Sequence, residues 1–287
     1  MRDSVQIILR GVGQVMLQNN ALTGLLFLVG IFYNSWILGL GAILGNIVGS
    51  IFAVFLKYPQ EDIKNGLYGF NGTLVGIAIW FFFGVNVATA LAIIISSALS
   101  SVIMHAIQKR IPAFTAPFVL STWMGIFGIK FLHASPLLIS ALPQTALLDL
   151  FSAISIGIGQ VMFQENAITG LLFLFGILIN SRTAAFYALY ASLLGNLLAI
   201  FFHLPLSLIN IGLFGYNAIL CGIVLGTKKW DSFVITNFAI ILSVLFFLGL
   251  NKLGIIALTA PFVLATWMVL SIKHVRANHT PAHVAKC

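Results

Sequence analysis

The sequence predicts an all-α polytopic membrane protein, and three observations carry that prediction. Hydrophobic residues make up 60% of 287 positions and charged residues only 7%, where a soluble domain carries about 25% charged side chains. Mean hydropathy is +1.09. Charges punctuate the chain: the intervals between Arg10 and Lys57, Lys64 and Lys109, and Arg182 and Lys228 hold 46, 44 and 45 residues without Asp, Glu, Lys or Arg. With 14 basic and 6 acidic side chains, no soluble surface can be covered. A soluble enzyme, a disordered regulator and, despite a pI near 9.7, a nucleic-acid binder are excluded.

A bilayer core takes about 20 apolar residues per helical crossing, so each interval holds two crossings, or one crossing and a segment that enters and returns. Helices are expected over 36–56, 85–104, 113–132, 184–202, 233–249 and 254–272. The apolar runs 21–33 and 167–179 are too short for a full span and read as buried or re-entrant helices. The segment 133–150, with Pro136 and Pro143, reads as a connection. Lys and Arg concentrate on the cytoplasmic side of membrane proteins. Arg2 and Arg10 at one end, and Lys273, Arg276 and Lys286 at the other, therefore place both termini in the cytoplasm and demand an even number of crossings. The first residues lack the pattern of a cleaved signal, so no segment is expected to be removed. Cys221 and Cys287 form neither a disulfide framework nor a metal spacing; Cys221, in an apolar run, is expected to be a buried thiol.

The strongest signal is internal. Residues 13–35 (GQVMLQNNALTGLLFLVGIFYNS) return as residues 159–181 (GQVMFQENAITGLLFLFGILINS), 17 of 23 positions being identical at an offset of 146. LYGFNGTLVGI at 67–77 returns as LFGYNAILCGI at 213–223 with the same offset, and FTAPFVLSTWM at 114–124 returns as LTAPFVLATWM at 258–268, offset by 144. The chain is thus a tandem duplication, with halves 1–143 and 144–287. If each half crosses the membrane an odd number of times, the second enters inverted, and a solute would pass where the halves meet. Five crossings per half fit the length and the even total.

The repeated blocks are rich in Gly, Asn, Gln, Thr and Pro. Gly41-xxx-Gly45-xxx-Gly49, Gly72-xxx-Gly76 and Gly222-xxx-Gly226 have the spacing that lets membrane helices approach closely. Gln14/Gln160, Asn20/Asn166 and Asn71/Asn217 recur in both halves, and capping or cross-helix bonding is expected of some of them. Glu165 is the one carboxylate inside a repeated block, opposite Asn19, and reads as a cap or interface residue. His105, His133 and His203 have no repeated histidine counterparts, so no proton relay is legible. No Walker phosphate loop occurs. Neither a cofactor nor a metal is called for, and an intramembrane enzyme would need the clustered His and carboxylates that the sequence lacks. An uncharged cargo moving passively fits best, because an ion between apolar walls lacks compensating charge.

The blocks resemble those of the urea transporter family across essentially the whole chain. The family signature Leu-Pro-x-x-Thr-x-Pro-Phe stands as Ile111-Pro112-Ala113-Phe114-Thr115-Ala116-Pro117-Phe118. Its second copy, Ile255-Ile256-Ala257-Leu258-Thr259-Ala260-Pro261-Phe262, lacks the early Pro. The resemblance implies a channel-like urea pathway in each subunit of a homotrimer, ten crossing helices and two re-entrant half-helices in an inverted repeat. A bacterial member in the cytoplasmic (inner) membrane is expected, with urea and the bilayer as partners. By the same resemblance, Gln14 and Gln160 mark the two mouths, and Leu17, Phe163, Phe70 and Tyr216 are apolar plates. Leu74 and Leu220 form the other wall, with Val15 and Val161 adjacent, and Thr115 and Thr259 stand at the constricted centre. Leu17 replaces a common aromatic, and Tyr216 adds a hydroxyl to a plate. Such a slot suits a flat, neutral diamide, whose unpaired amide-like groups would each cost about 2–7 kcal/mol. A channel for ammonia or another small neutral amide is the alternative, although paired pore histidines are absent.

Overall fold

The computed structural model describes residues 2–138 and 147–279. The expected boundary at 143/144, with Pro143, Lys286 and Cys287, lies outside these residues, as do the side chains of Arg2 and Arg276. The described residues contain helices and no strand. Seven helices precede the undescribed connection: α1 (Arg2–Gln14), α2 (Ala21–Asn34), α3 (Trp36–Phe55), α4 (Gln60–Lys64), α5 (Gly69–Phe83), α6 (Val87–Ile107) and α7 (Ala116–Phe131). Seven follow in the same order: α8 (Leu150–Gln160), α9 (Ala167–Asn180), α10 (Arg182–Phe201), α11 (Leu206–Asn210), α12 (Tyr216–Leu225), α13 (Trp230–Lys252) and α14 (Ala260–His279).

Four helices, α3, α6, α10 and α13, are long and apolar enough to cross a membrane unaided. The 14-residue α2 and α9 reach only about 21 Å at 1.5 Å per residue, short of a hydrocarbon core of about 30 Å. Local chemistry sets the ends. Asn20 accepts from the Leu22 and Thr23 N–H groups at 2.8 and 3.1 Å, and Asn166 from Thr169 N–H at 3.1 Å, satisfying orphan donors at the starts of α2 and α9. Helices α7 and α14 begin at Ala116 and Ala260, later than the apolar runs suggested. Phe114 and Leu258 are left-handed, at φ 46° and 47°, and Pro117 and Pro261 are placed where a helix tolerates proline.

The glycine spacings serve packing in both halves, as expected; in the second, a Cβ on Gly222 or Gly226 would lie 2.8 or 2.3 Å from Tyr187. A Cβ on Gly45 would lie 2.0 Å from the Gly72 carbonyl oxygen, and one on Gly72 2.1 Å from that of Gly45. The backbones of α3 and α5 therefore touch at a point no side chain can enter.

Between halves, contacts come in matched pairs. Thr23 Oγ1 donates to the Gly176 carbonyl at 2.7 Å and Thr169 Oγ1 to the Gly30 carbonyl at 3.0 Å. The rings of Phe27 and Phe173, also 146 residues apart, sit between them at 4.9 Å. An exchange in which each partner gives what it receives is the mark of an isologous contact. Gly72→Leu is expected to cost about 3 kcal/mol by overpacking, read as a lowered midpoint of thermal unfolding in detergent. Gly128→Leu, where an added Cβ meets nothing within 4 Å, should leave the midpoint near that of the parent; equal effects would refute the close α3–α5 contact.

Candidate solute pathway

The two expected mouths are built by one local motif used twice. After α1, Leu17 N–H bonds the Gln14 carbonyl at 2.9 Å and Gln18 N–H bonds the Gly13 carbonyl at 3.1 Å; after α8, Phe163 and Gln164 bond the carbonyls of Gln160 and Gly159, both at 3.1 Å. This is the Schellman closure of a helix, whose left-handed position is usually glycine. Here it holds Leu17 and Phe163, each at φ 59°, a conformation that costs about 1–2 kcal/mol for an L-residue. Strain of this kind persists only where the surroundings enforce it.

A pair of buried glutamines enforces it. Gln18 donates Nε2–H to the Met16 carbonyl at 2.7 Å and accepts from Asn180 Nδ2 at 2.8 Å. Gln164 likewise donates to the Met162 carbonyl and accepts from Asn34 Nδ2 at 2.9 Å. Each turn is thus clasped to the end of α2 or α9 in the other half. Sequence reasoning missed these four residues, although all recur in the duplicated blocks.

Gln14 and Gln160 are anchored through their amide nitrogens, Gln14 to the Asn65 carbonyl at 3.2 Å and Gln160 to the Ile211 carbonyl at 2.9 Å. Neither side-chain oxygen meets a donor among the described residues, so each is left as an acceptor. The backbone carbonyls of Val15, Leu17, Val161 and Phe163 likewise meet no donor there. They stand at the C-terminal ends of α1 and α8, where the helix dipole is negative. Glu165 is not a cap: Asn166 fills that role, and the exposed Glu165 lies 3.4 Å from Gln160 Nε2. The mouths differ in covering. Phe163 lies 5.3, 5.7 and 6.4 Å from the rings of Phe81, Phe82 and Phe118, while Leu17 is exposed.

Phe70 and Leu74 on α5, and Tyr216 and Leu220 on α12, lie one helical turn apart and are buried, as are Val15 and Val161. The Tyr216 hydroxyl is turned away from any role as a free polar group and donates to the Leu258 carbonyl at 2.7 Å. Asn71 and Asn217 are structural: their side-chain oxygens accept from the Phe118 and Phe262 N–H groups, both at 3.1 Å, capping α7 and α14 from a neighbouring helix. The Thr115 and Thr259 hydroxyls meet at 2.6 Å, and both residues are buried.

The two threonines expected at the constricted centre are therefore in direct contact. Two hydroxyls among apolar neighbours satisfy each other, because an unpaired polar group in such surroundings costs several kcal/mol. The prominent grooves lie elsewhere, on apolar outer faces such as that lined by Ile8, Leu28, Ile47 and Ile51.

The described residues define a helical membrane protein of low charge, with spare acceptors at two matched helix ends and a buried hydroxyl pair from the two halves. Comparison with known proteins gives the particular family. The model of the family described as "Urea transporter" matches residues 5–274. Urea transporter 1 of Ovis aries is 30% identical over 301 residues, covering 93% of this chain and 76% of that protein. Urea transporter 1 of Mus musculus is 32% identical over 241 residues, covering 76% and 62%. The chain belongs to the urea transporter family, whose members carry urea and catalyse no reaction.

The clasp predicts a coupling. In a double-mutant cycle on Asn34 and Gln164, thermal unfolding should show an interaction of about 1–2 kcal/mol; additive effects would contradict it.

Proposed function

We propose that this chain conducts urea passively along a path between its two halves, which are inverted with respect to one another across the membrane. The observation that carries this reading is the 2.6 Å meeting of Thr115 and Thr259: equivalent residues of the two halves put a neutral polar pair in an apolar interior. Each half supplies five crossings and one re-entrant half-helix, consistent with four long helices and several shorter apolar ones.

Urea offers four N–H donors and one carbonyl. At either mouth its N–H groups meet the Gln14 or Gln160 side-chain oxygen and the donor-free carbonyls at 15, 17, 161 and 163. Its faces lie against Leu17 or Phe163, then Phe70, Leu74, Tyr216 and Leu220, with Val15 and Val161 beside them. At the centre it replaces the Thr115–Thr259 bond with bonds of its own, since a threonine hydroxyl both donates and accepts. The exchange leaves no group unpaired, so the central barrier is low. Beyond Glu165, which lies 3.4 Å from Gln160 Nε2 at one mouth, an ion entering the named lining finds no opposite charge.

The subunit works in a homotrimer in a bacterial inner membrane, with both termini cytoplasmic; family resemblance supports the trimer, and the basic tails support the orientation. Light scattering of the detergent complex tests the trimer, with a protein mass near three times 31.1 kDa as the expected result.

In proteoliposomes, a urea gradient should dissipate rapidly with no ion gradient and no ATP. Flux equal to that of empty liposomes, together with proton-driven uptake of another solute, would refute the passive urea reading. Thr115→Lys or Phe163→Lys should abolish flux while assembly is retained; unaltered flux would remove that residue from the path.

A further inference from the structure

Two tryptophans that the proposed path does not touch make the same bond across the two halves. Trp123 on α7 donates its indole N–H to the Ile256 carbonyl at 2.8 Å, and Trp267 on α14 donates to the Pro112 carbonyl at 2.8 Å. Each acceptor stands three residues before the central threonine of its own half, Pro112 before Thr115 and Ile256 before Thr259. The short segments between them contain the left-handed residues Phe114 and Leu258, so they need external support to keep their shape. On the helix side, each threonine's segment is held within its own half by Asn71 or Asn217. On the loop side the hold comes from the other half.

We infer that Trp123 and Trp267 are positioning residues that set the separation of the Thr115 and Thr259 hydroxyls and thereby the size of solute admitted. The inference rests on the reading of that pair as the narrowest point of a urea path. Because the two bonds are reciprocal, the loops cannot separate without breaking them. Indole N–H is a donor only, so each ring can serve only an acceptor such as these loop carbonyls. The arrangement also accounts for the irregular signature of the second half. Pro112 and Ile256 differ as side chains, yet the group used at both positions is the backbone carbonyl, which either residue supplies.

The test is stopped-flow permeability of proteoliposomes to urea and to N-methylurea. The parent is compared with Trp123→Phe, Trp267→Phe and the double variant, which keep a ring and lose the donor. The permeability ratio of N-methylurea to urea should rise about threefold or more in the double variant, and by less in each single one, as discrimination against one added methyl loosens. If the phenylalanine variants fail to assemble, the benzothiophene analogue of tryptophan at both positions keeps the shape without the N–H and should raise the same ratio. An unchanged ratio in an assembled double variant or analogue protein overturns the inference. Thr115→Lys separates the two readings. If it abolishes urea flux while the ratio is unchanged, the positioning role alone falls; if it leaves urea flux unaltered, the path itself falls and the inference with it.

Discussion

Hydrogen bonding between the two halves, in a place where water cannot substitute for it, is the constraint on which the rest of this structure depends. An unpaired polar group in hydrocarbon costs several kcal/mol, so each polar side chain brought to the junction needs a partner from across it. Thr23 and Thr169 find backbone carbonyls, Gln18 and Gln164 find Asn180 and Asn34, Trp123 and Trp267 find the loops before Thr259 and Thr115, and those threonines find each other. Among the described residues, the buried side-chain atoms without a partner are Trp80 Nε1, Ser97 Oγ, Thr122 Oγ1 and Asn196 Oδ1. None belongs to these exchanges.

This pairing decides what is left over for a solute. Donors are used up at the two repeated glutamines, where the Gln14 and Gln160 amide nitrogens are tied to backbone carbonyls. Acceptors remain, in the glutamine oxygens and in the carbonyls at the ends of α1 and α8. Spare acceptors suit the solute proposed above, a small molecule rich in N–H groups, and the carboxylate nearest to them is Glu165, 3.4 Å from Gln160 Nε2. The halves are not identical in this respect. Tyr216 takes the Leu258 carbonyl, whereas Phe70 has no hydroxyl to take that of Phe114. Phe163 is enclosed by three aromatic rings while its counterpart Leu17 is exposed, so the two equivalent turns are covered unequally.

Much of this was legible in the sequence, because duplication doubles the evidence at each position. The blocks around Gln14/Gln160 and Thr115/Thr259 are conspicuous only because they occur twice, and the structure brings the two threonines into contact. Repetition did not distinguish roles, however. Asn71 and Asn217 recur as faithfully as the threonines, yet they cap helices, a function that depends on where α7 and α14 lie in space. Gln18, Gln164, Trp123 and Trp267 also recur, but their partners across the junction are 130 to 162 residues away, beyond any local pattern. Helices α1, α5, α8 and α12 escape the sequence reading because, at 10 to 15 residues, each is shorter than the run of about 20 that marks a crossing. The contact of the central hydroxyls was equally hidden, since spacing fixes which residues approach but not how closely.

The inverted relation of the halves is tested most directly by labelling cysteines from each side of an oriented membrane. Lys57 and His203 are exposed, 146 residues apart, and occupy the same left-handed turn after α3 and α10. In a protein with Cys221 and Cys287 replaced by Ser, Lys57→Cys and His203→Cys should react with a membrane-impermeant maleimide from opposite sides. Labelling of both from the same side would contradict the account.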